Sequence, residues 1–181
     1  MVDQTLPHVL VHAPNNSSQS FLSSIQSAGG AAIVNISAQE RDHTLSPDVI
    51  VRIVGDPDSD KVNFLKKNGA PPIIVDTVGN NRLSANEKYP GQRIVEIVSI
   101  DEARNAAASG AVGVIARGNE AAGRCSDLST FVLIQKLRSV LPDLTIWAQG
   151  GIGLYTTRAV MALGAHGVVL DEHVILLPGA G

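Results

Sequence analysis

"AVGVIARGNEAAGRCSDLSTFVLIQKLRSVLPDLTIWAQGGIG", residues 111–153, decides how the chain folds. It opens on an apolar run, crosses a loop of small residues from Gly118 to Asp127, and enters an amphipathic stretch at Ser129. A second apolar run then ends in a glycine turn. Serine is a favoured residue just before a helix and proline a frequent one just after, so Ser129 and Pro142 bracket a helix between two strands. Two strands joined through a helix lie parallel in one sheet, which makes this stretch a βα unit.

The same rhythm runs the length of the chain. Short Val- and Ile-rich runs begin near residues 8, 31, 48, 72, 93, 112, 145 and 167, which gives eight candidate strands spaced by about one βα unit. Helices are read in "SQSFLSSIQSAG", "SDKVNFLKKNG", "IDEARNAAASG", "STFVLIQKLRSVLP" and "LYTTRAVMALGA". The intervals "SAQERDHTLSP" and "VGNNRLSANEKYPG" are polar and lack apolar periodicity, so two crossovers are expected to be cut to loops. Eight parallel strands close into a (β/α)8 barrel, an α/β fold that usually takes about 250 residues. At 181 residues the chain is therefore expected to form a TIM-barrel-like domain over 1–177 with shortened crossovers and no final helix. Residues 178–181 would begin a linker. An open doubly wound sheet is the competing arrangement.

Composition narrows the function. Hydrophobic residues make up 44 % and aromatics 3 %, which suits buried parallel strands built from branched aliphatics. The 14 basic and 17 acidic residues give a net charge of −3 with no basic stripe, which argues against nucleic acid as a partner. One cysteine excludes an internal disulfide and a structural zinc cluster. No apolar run approaches the ~20 residues of a membrane span and no secretory leader is visible, so a cytoplasmic protein is expected.

In such barrels the chemistry sits where strands exit into helices. The longest exit, Gly118–Asp127, keeps small residues between Glu120 and Arg124, as suits a planar ligand or close backbone approach. A tight loop carrying a surface ion pair is the structural alternative. The exit "AQGGIG", Gln149–Gly153, puts glycines at a helix N-terminus, where unpaired N–H groups can cradle a phosphate; simple chain reversal is the alternative. Arg52, Asp76 and Glu96 interrupt apolar strands. Buried charges persist when paired, so an ion-pair network inside the barrel is expected, with substrate-carboxylate binding by Arg52 as the other option. His12 at the first strand exit is a general acid–base candidate or a satisfied strand-end histidine. Cys125 has no histidine near it in sequence to activate a thiolate. No lysine falls within a strand to form a Schiff base, which disfavours an aldolase-type barrel.

From about Arg93 to Leu177 the order of these motifs resembles the second half of the flavin-dependent nitronate monooxygenase and enoyl reductase family. It is also similar to a related barrel domain at the front of some bacterial type I polyketide synthases. The resemblance implies FMN as cofactor. It implies a ring platform at Gly118, Glu120, Ala121 and Gly123, and phosphate contact at Gly150, Gly151 and Ile152, following Gln149. It also implies a nitronate or acyl-thioester substrate and, in the synthase setting, neighbouring megasynthase domains as partners. Two departures stand out. The histidine that ends the loop motif in the enzymes is Arg124 here, so Arg124 takes the catalytic position. The small glycine turn after strand eight is replaced by Leu170, Asp171 and Glu172, which predicts weak retention of the cofactor. The alternative is a catalytically degenerate structural or docking domain.

Overall fold

The eight apolar runs become eight parallel strands: β1 (Val9–Ala13), β2 (Ala31–Ile36), β3 (Val49–Ile53), β4 (Ile73–Asp76), β5 (Arg93–Ile97), β6 (Gly113–Arg117), β7 (Ile146–Gln149) and β8 (Gly167–Leu170). Each pairs with its sequence neighbours, and β8 returns to β1 through Val9–Val168, Leu10–Val169 and Val11–Leu170. The sheet is therefore a closed barrel and not an open doubly wound one. The structure is a computed structural model that describes residues 6–14, 17–36, 45, 49–53, 59–76 and 90–170. The expected shortened crossovers fall largely on residues outside this set. So do Asp171, Glu172, the expected missing final helix and the linker at 178–181.

Among the described residues, five helices lie between strands: α1 (Gln19–Ser27), α2 (Ser59–Lys67), α3 (Ile100–Ala108), α4 (Thr130–Val140) and α5 (Leu154–Ala162). Three start on a serine whose hydroxyl accepts from a backbone N–H one turn in: Ser18 from Phe21, Ser99 from Glu102 and Ser129 from Val132. Each such cap satisfies a donor the helix cannot.

Alternation along the strands divides their side chains into two sets. The outward set, such as Val49, Val51 and Ile53 on β3, joins the helices in the larger core. The inward set fills the barrel with Leu10, Ile33, Ile50, Ile74, Ile94, Ile115, Trp147 and Val169. Both faces are thus apolar, which is why the strands read as continuous runs.

Two residues further along β1 to β7, on the same inward face, stand His12, Asn35, Arg52, Asp76, Glu96, Arg117 and Gln149. A polar layer therefore caps the aliphatic one at the C-terminal mouth. At the opposite end Trp147 is fully buried and donates its indole N–H to the carbonyl of Pro7 at 2.9 Å. His166 packs edge-on against it at 5.0 Å. Trp147 and the incoming N-terminal segment thus seal the floor.

Replacing Trp147 with Ala is expected to cost about 3–5 kcal/mol, the usual range for a large buried aromatic. Urea denaturation followed by circular dichroism checks this, since the substitution removes the chain's one tryptophan. A loss under about 1 kcal/mol would show that the floor is not packed as described.

Candidate active site at the mouth of the barrel

Glu96 organises the mouth. Its side chain is 1 % exposed, and it accepts from Arg52 through Nε at 2.9 Å and Nη2 at 2.7 Å, a two-point fork. Arg117, on the neighbouring strand β6, donates to the same carboxylate from Nη1 at 3.3 Å. Asp76 stands beside Glu96 in the β4–β5 register and is met by Arg124, which reaches in from the loop after β6. Arg124 donates to Asp76 at 2.8 Å and to Glu102 of α3 at 2.9 Å. Three guanidinium groups and three carboxylates thus neutralise one another. The bond to Glu96 outweighs burial and raises the Arg52 pKa. Burial works against the charged form of Arg124, but the hydrogen bonds it donates to Glu102 and Asp76 prevail and its pKa is raised too. The strand charges do form the expected network, and Arg52 is part of it.

Above the network, the loop after β6 and the turn after β7 touch. Gly118 N donates to Gln149 O at 3.0 Å, carrying the ladder between the two strands to their ends. A Cβ on Gly118 would lie 2.1 Å from Thr130 Oγ1, and one on Gly150 would lie 2.7 Å from Ala121 N. Both positions must be glycine for the two exits to close on one another. The smallness of this stretch is therefore demanded first by the rim itself.

Glu120 and Arg124 do not pair, which corrects the surface ion-pair alternative. Glu120 turns to the start of α4, where its carboxylate accepts from Thr130 N at 3.0 Å and Thr130 Oγ1 at 2.8 Å. A helix N-terminus offers free N–H groups and a positive dipole end, a better partner than a distant guanidinium. Thr130 is fully buried, and its hydroxyl also lies 3.0 Å from Gly150 O, so it ties both loops to α4.

The remaining expected residues gather here. Ala121 and Ile152 are buried, Gln149 is 3 % exposed at the end of β7, and Gly123 and Gly151 adopt left-handed φ of 74° and 64°. At the start of α5 the N–H of Gly153 goes to Thr156 Oγ1 at 2.7 Å. The N–H groups of Gly151 and Ile152 meet no acceptor among the described residues. Gly153 faces open space, since a Cβ there would meet nothing within 4 Å. Backbone donors beside a helix N-terminus suit a phosphate, and the Glu120 side chain borders them, its Cβ 3.4 Å from where a Cβ on Gly151 would stand. In the polar layer at the strand ends, Arg117 Nε, a donor, and Asn35 Oδ1, an acceptor, are buried without partners among the described residues. The donor set fits the phosphate end of a flavin nucleotide.

Known proteins speak to the family and the fold. The sequence pattern of a family described as nitronate monooxygenase matches residues 31–177. The chain belongs to that family. No individual curated protein matches it significantly. Among solved structures it is similar to FabK from Thermotoga maritima, with TM-score 0.71 at 22 % identity over 93 % of this chain and 60 % of that one. It is also similar to nitroalkane oxidase from Streptomyces ansochromogenes, with TM-score 0.70 at 20 % identity over 94 % of this chain and 66 % of that one. Thiamine phosphate pyrophosphorylase from Pyrococcus furiosus gives 0.70 at 14 % identity over 97 % and 90 %. At these identities the structures speak to fold alone, and the chain spans under two thirds of the first two.

Sequence reasoning did not single out Arg117, Asn35 or Thr130. Counting two residues on from the central aliphatic of each strand finds the first two. Thr130 is legible only as the residue after a helix cap. Among the described residues no cluster of His, Cys, Asp and Glu could hold a metal ion, and no helix is long and apolar enough to cross a membrane.

Burial raises the Glu120 pKa, but the two hydrogen bonds from Thr130 lower it further, and the net shift is downward. A carboxylate with a depressed pKa stabilises the fold fully above its unfolded value and loses that contribution as pH falls through the folded one. The difference in melting temperature between the wild type and Glu120→Gln should therefore shrink from pH 7 to pH 3. A difference that holds constant or grows on acidification would contradict the assignment.

Proposed function

We propose that the chain forms the barrel of an FMN-dependent oxidoreductase that keeps the phosphate turn and ring platform of its family and replaces the reactive histidine with a fixed guanidinium. The observation that carries this is the closure of the small-residue loop on a glycine turn whose Gly151 and Ile152 N–H groups point to no protein acceptor among the described residues. When bound, FMN supplies the redox chemistry. Gly151, Ile152 and the start of α5 hold its phosphate, and Gly118, Ala121 and Gly123 keep the neighbouring backbone free of bulk. Gln149 closes the floor of the site from the end of β7. Arg124 stays protonated at any working pH, and its bonds to Asp76 and Glu102 make it a residue that orients and fills. A proton needed in turnover has to come from another group or from water.

The substrates that suit this reading are a nitronate or an enoyl thioester. A place among the domains of a polyketide or fatty-acid synthase is part of the proposal and rests on the sequence resemblance. One observation favours a second reading, a catalytically degenerate docking domain: every arginine described at the mouth is already met by a carboxylate.

Flavin binding separates the two. Gly153 has an extended backbone, φ −141°, and open space before it, so it accepts Ser or Asp, both good helix caps. Only Asp brings a charge against the phosphate. At ~5 Å and an effective dielectric near 20, one charge pair repels by about 3 kcal/mol, and half of that is tenfold in affinity. Fluorescence-quenching titration with FMN should give Gly153→Ser within about threefold of wild type and Gly153→Asp at least tenfold weaker. Failure of the wild type to bind, or equal affinity in all three proteins, would overturn the flavin reading in favour of the docking one.

A further inference from the structure

The loop from Asn119 to Cys125 has little to hold it by packing. Ala121 is buried, but Ala122 and Gly123 are exposed, and segments with few apolar contacts open readily. The two ends of the loop are fixed by the Glu120 carboxylate on Thr130 and the Arg124 guanidinium on Asp76 and Glu102. Between these ends, Arg117 donates from Nη2 to the carbonyl of Ala122. A Cβ on Gly123 would lie 3.6 Å from the same nitrogen, which puts the guanidinium directly under the left-handed turn. The other arm of Arg117 is held by Glu96, and Arg117 itself is 7 % exposed.

We propose that Arg117 is the positioning residue of the flavin loop. Anchored by Glu96 in the barrel, it sets the backbone of Ala121–Gly123 in its ligand-ready shape before any ligand arrives. This inference rests on the flavin reading only for what the loop is for. Arginine is needed because one planar group must reach a carboxylate on β5 and a carbonyl in the loop together. A lysine keeps the charge against Glu96 but presents a single point and reaches one acceptor at a time.

Arg117→Lys is therefore the diagnostic variant and Arg52→Lys its control, since Arg52 pairs with Glu96 without a described bond to the loop. Native-state hydrogen exchange reads the loop through two amides, Ala121 N to Gly118 O and Ser126 N to Arg117 O. The Val51 amide on β3, bonded to Pro72 O, serves as an internal reference. Arg117→Lys should exchange at least tenfold faster at Ala121 and Ser126 with Val51 unchanged, and should bind FMN at least tenfold more weakly. Arg52→Lys should stay within about twofold of wild type at both loop amides.

Unchanged exchange at Ala121 and Ser126 in Arg117→Lys overturns the proposal whatever FMN does. Equal acceleration in Arg52→Lys does so as well, because the effect would then be general loosening. Faster loop exchange together with unaltered FMN affinity would also overturn it, by showing that the loop's shape does not serve the ligand. If the loop loosens as expected but the wild type binds no FMN, the flavin reading fails and the ordering role of Arg117 stands.

Discussion

A carboxylate with 1 % of its side chain exposed can stay charged only if the protein surrounds it with charge of the other sign, and Glu96 is met by both Arg52 and Arg117. The rest of the mouth depends on this arrangement. Removing one member of a buried charge group typically costs about 3–5 kcal/mol, because the partners are left desolvated and unmatched. Here the same loss would reach the rim, since Arg117 is tied both to Glu96 and to the loop above it. Barrel stability and site shape therefore share one set of contacts.

Arg124 has a structural logic of its own. Asp76 and Glu96 stand in register on neighbouring strands, and like charges so close are costly unless each is neutralised. Arg124 bridges Asp76 and Glu102, and with Arg52 and Arg117 it balances the three carboxylates of the mouth. The same residue closes the end of the loop, so charge balance and loop position share one guanidinium.

Much of the fold was legible because strand and helix signals agree. Strand starts read near 8, 48 and 112 fall at Val9, Val49 and Gly113, the serine cap expected at Ser129 forms, and Ser18 and Ser99 cap their helices in the same way. Charges embedded in apolar runs announced the network through Arg52, Asp76 and Glu96. Arg117 was not announced, because it ends its strand and reads as the first residue of a polar loop. The direction of Glu120 was not legible either. Its partner is a backbone N–H ten residues on, which only the docking of α4 against Gly118 brings within reach.

On the proposed reading, a preformed, charge-balanced mouth receives the phosphate of a flavin nucleotide at the start of α5 without giving up its ion pairs. A crystal structure of the protein soaked with FMN tests it most directly. The phosphate is expected on the N–H groups of Gly151 and Ile152, with Arg124 still bonded to Asp76 and Glu102. A phosphate seated elsewhere, or an Arg124 that leaves both carboxylates to bind the nucleotide, would contradict it.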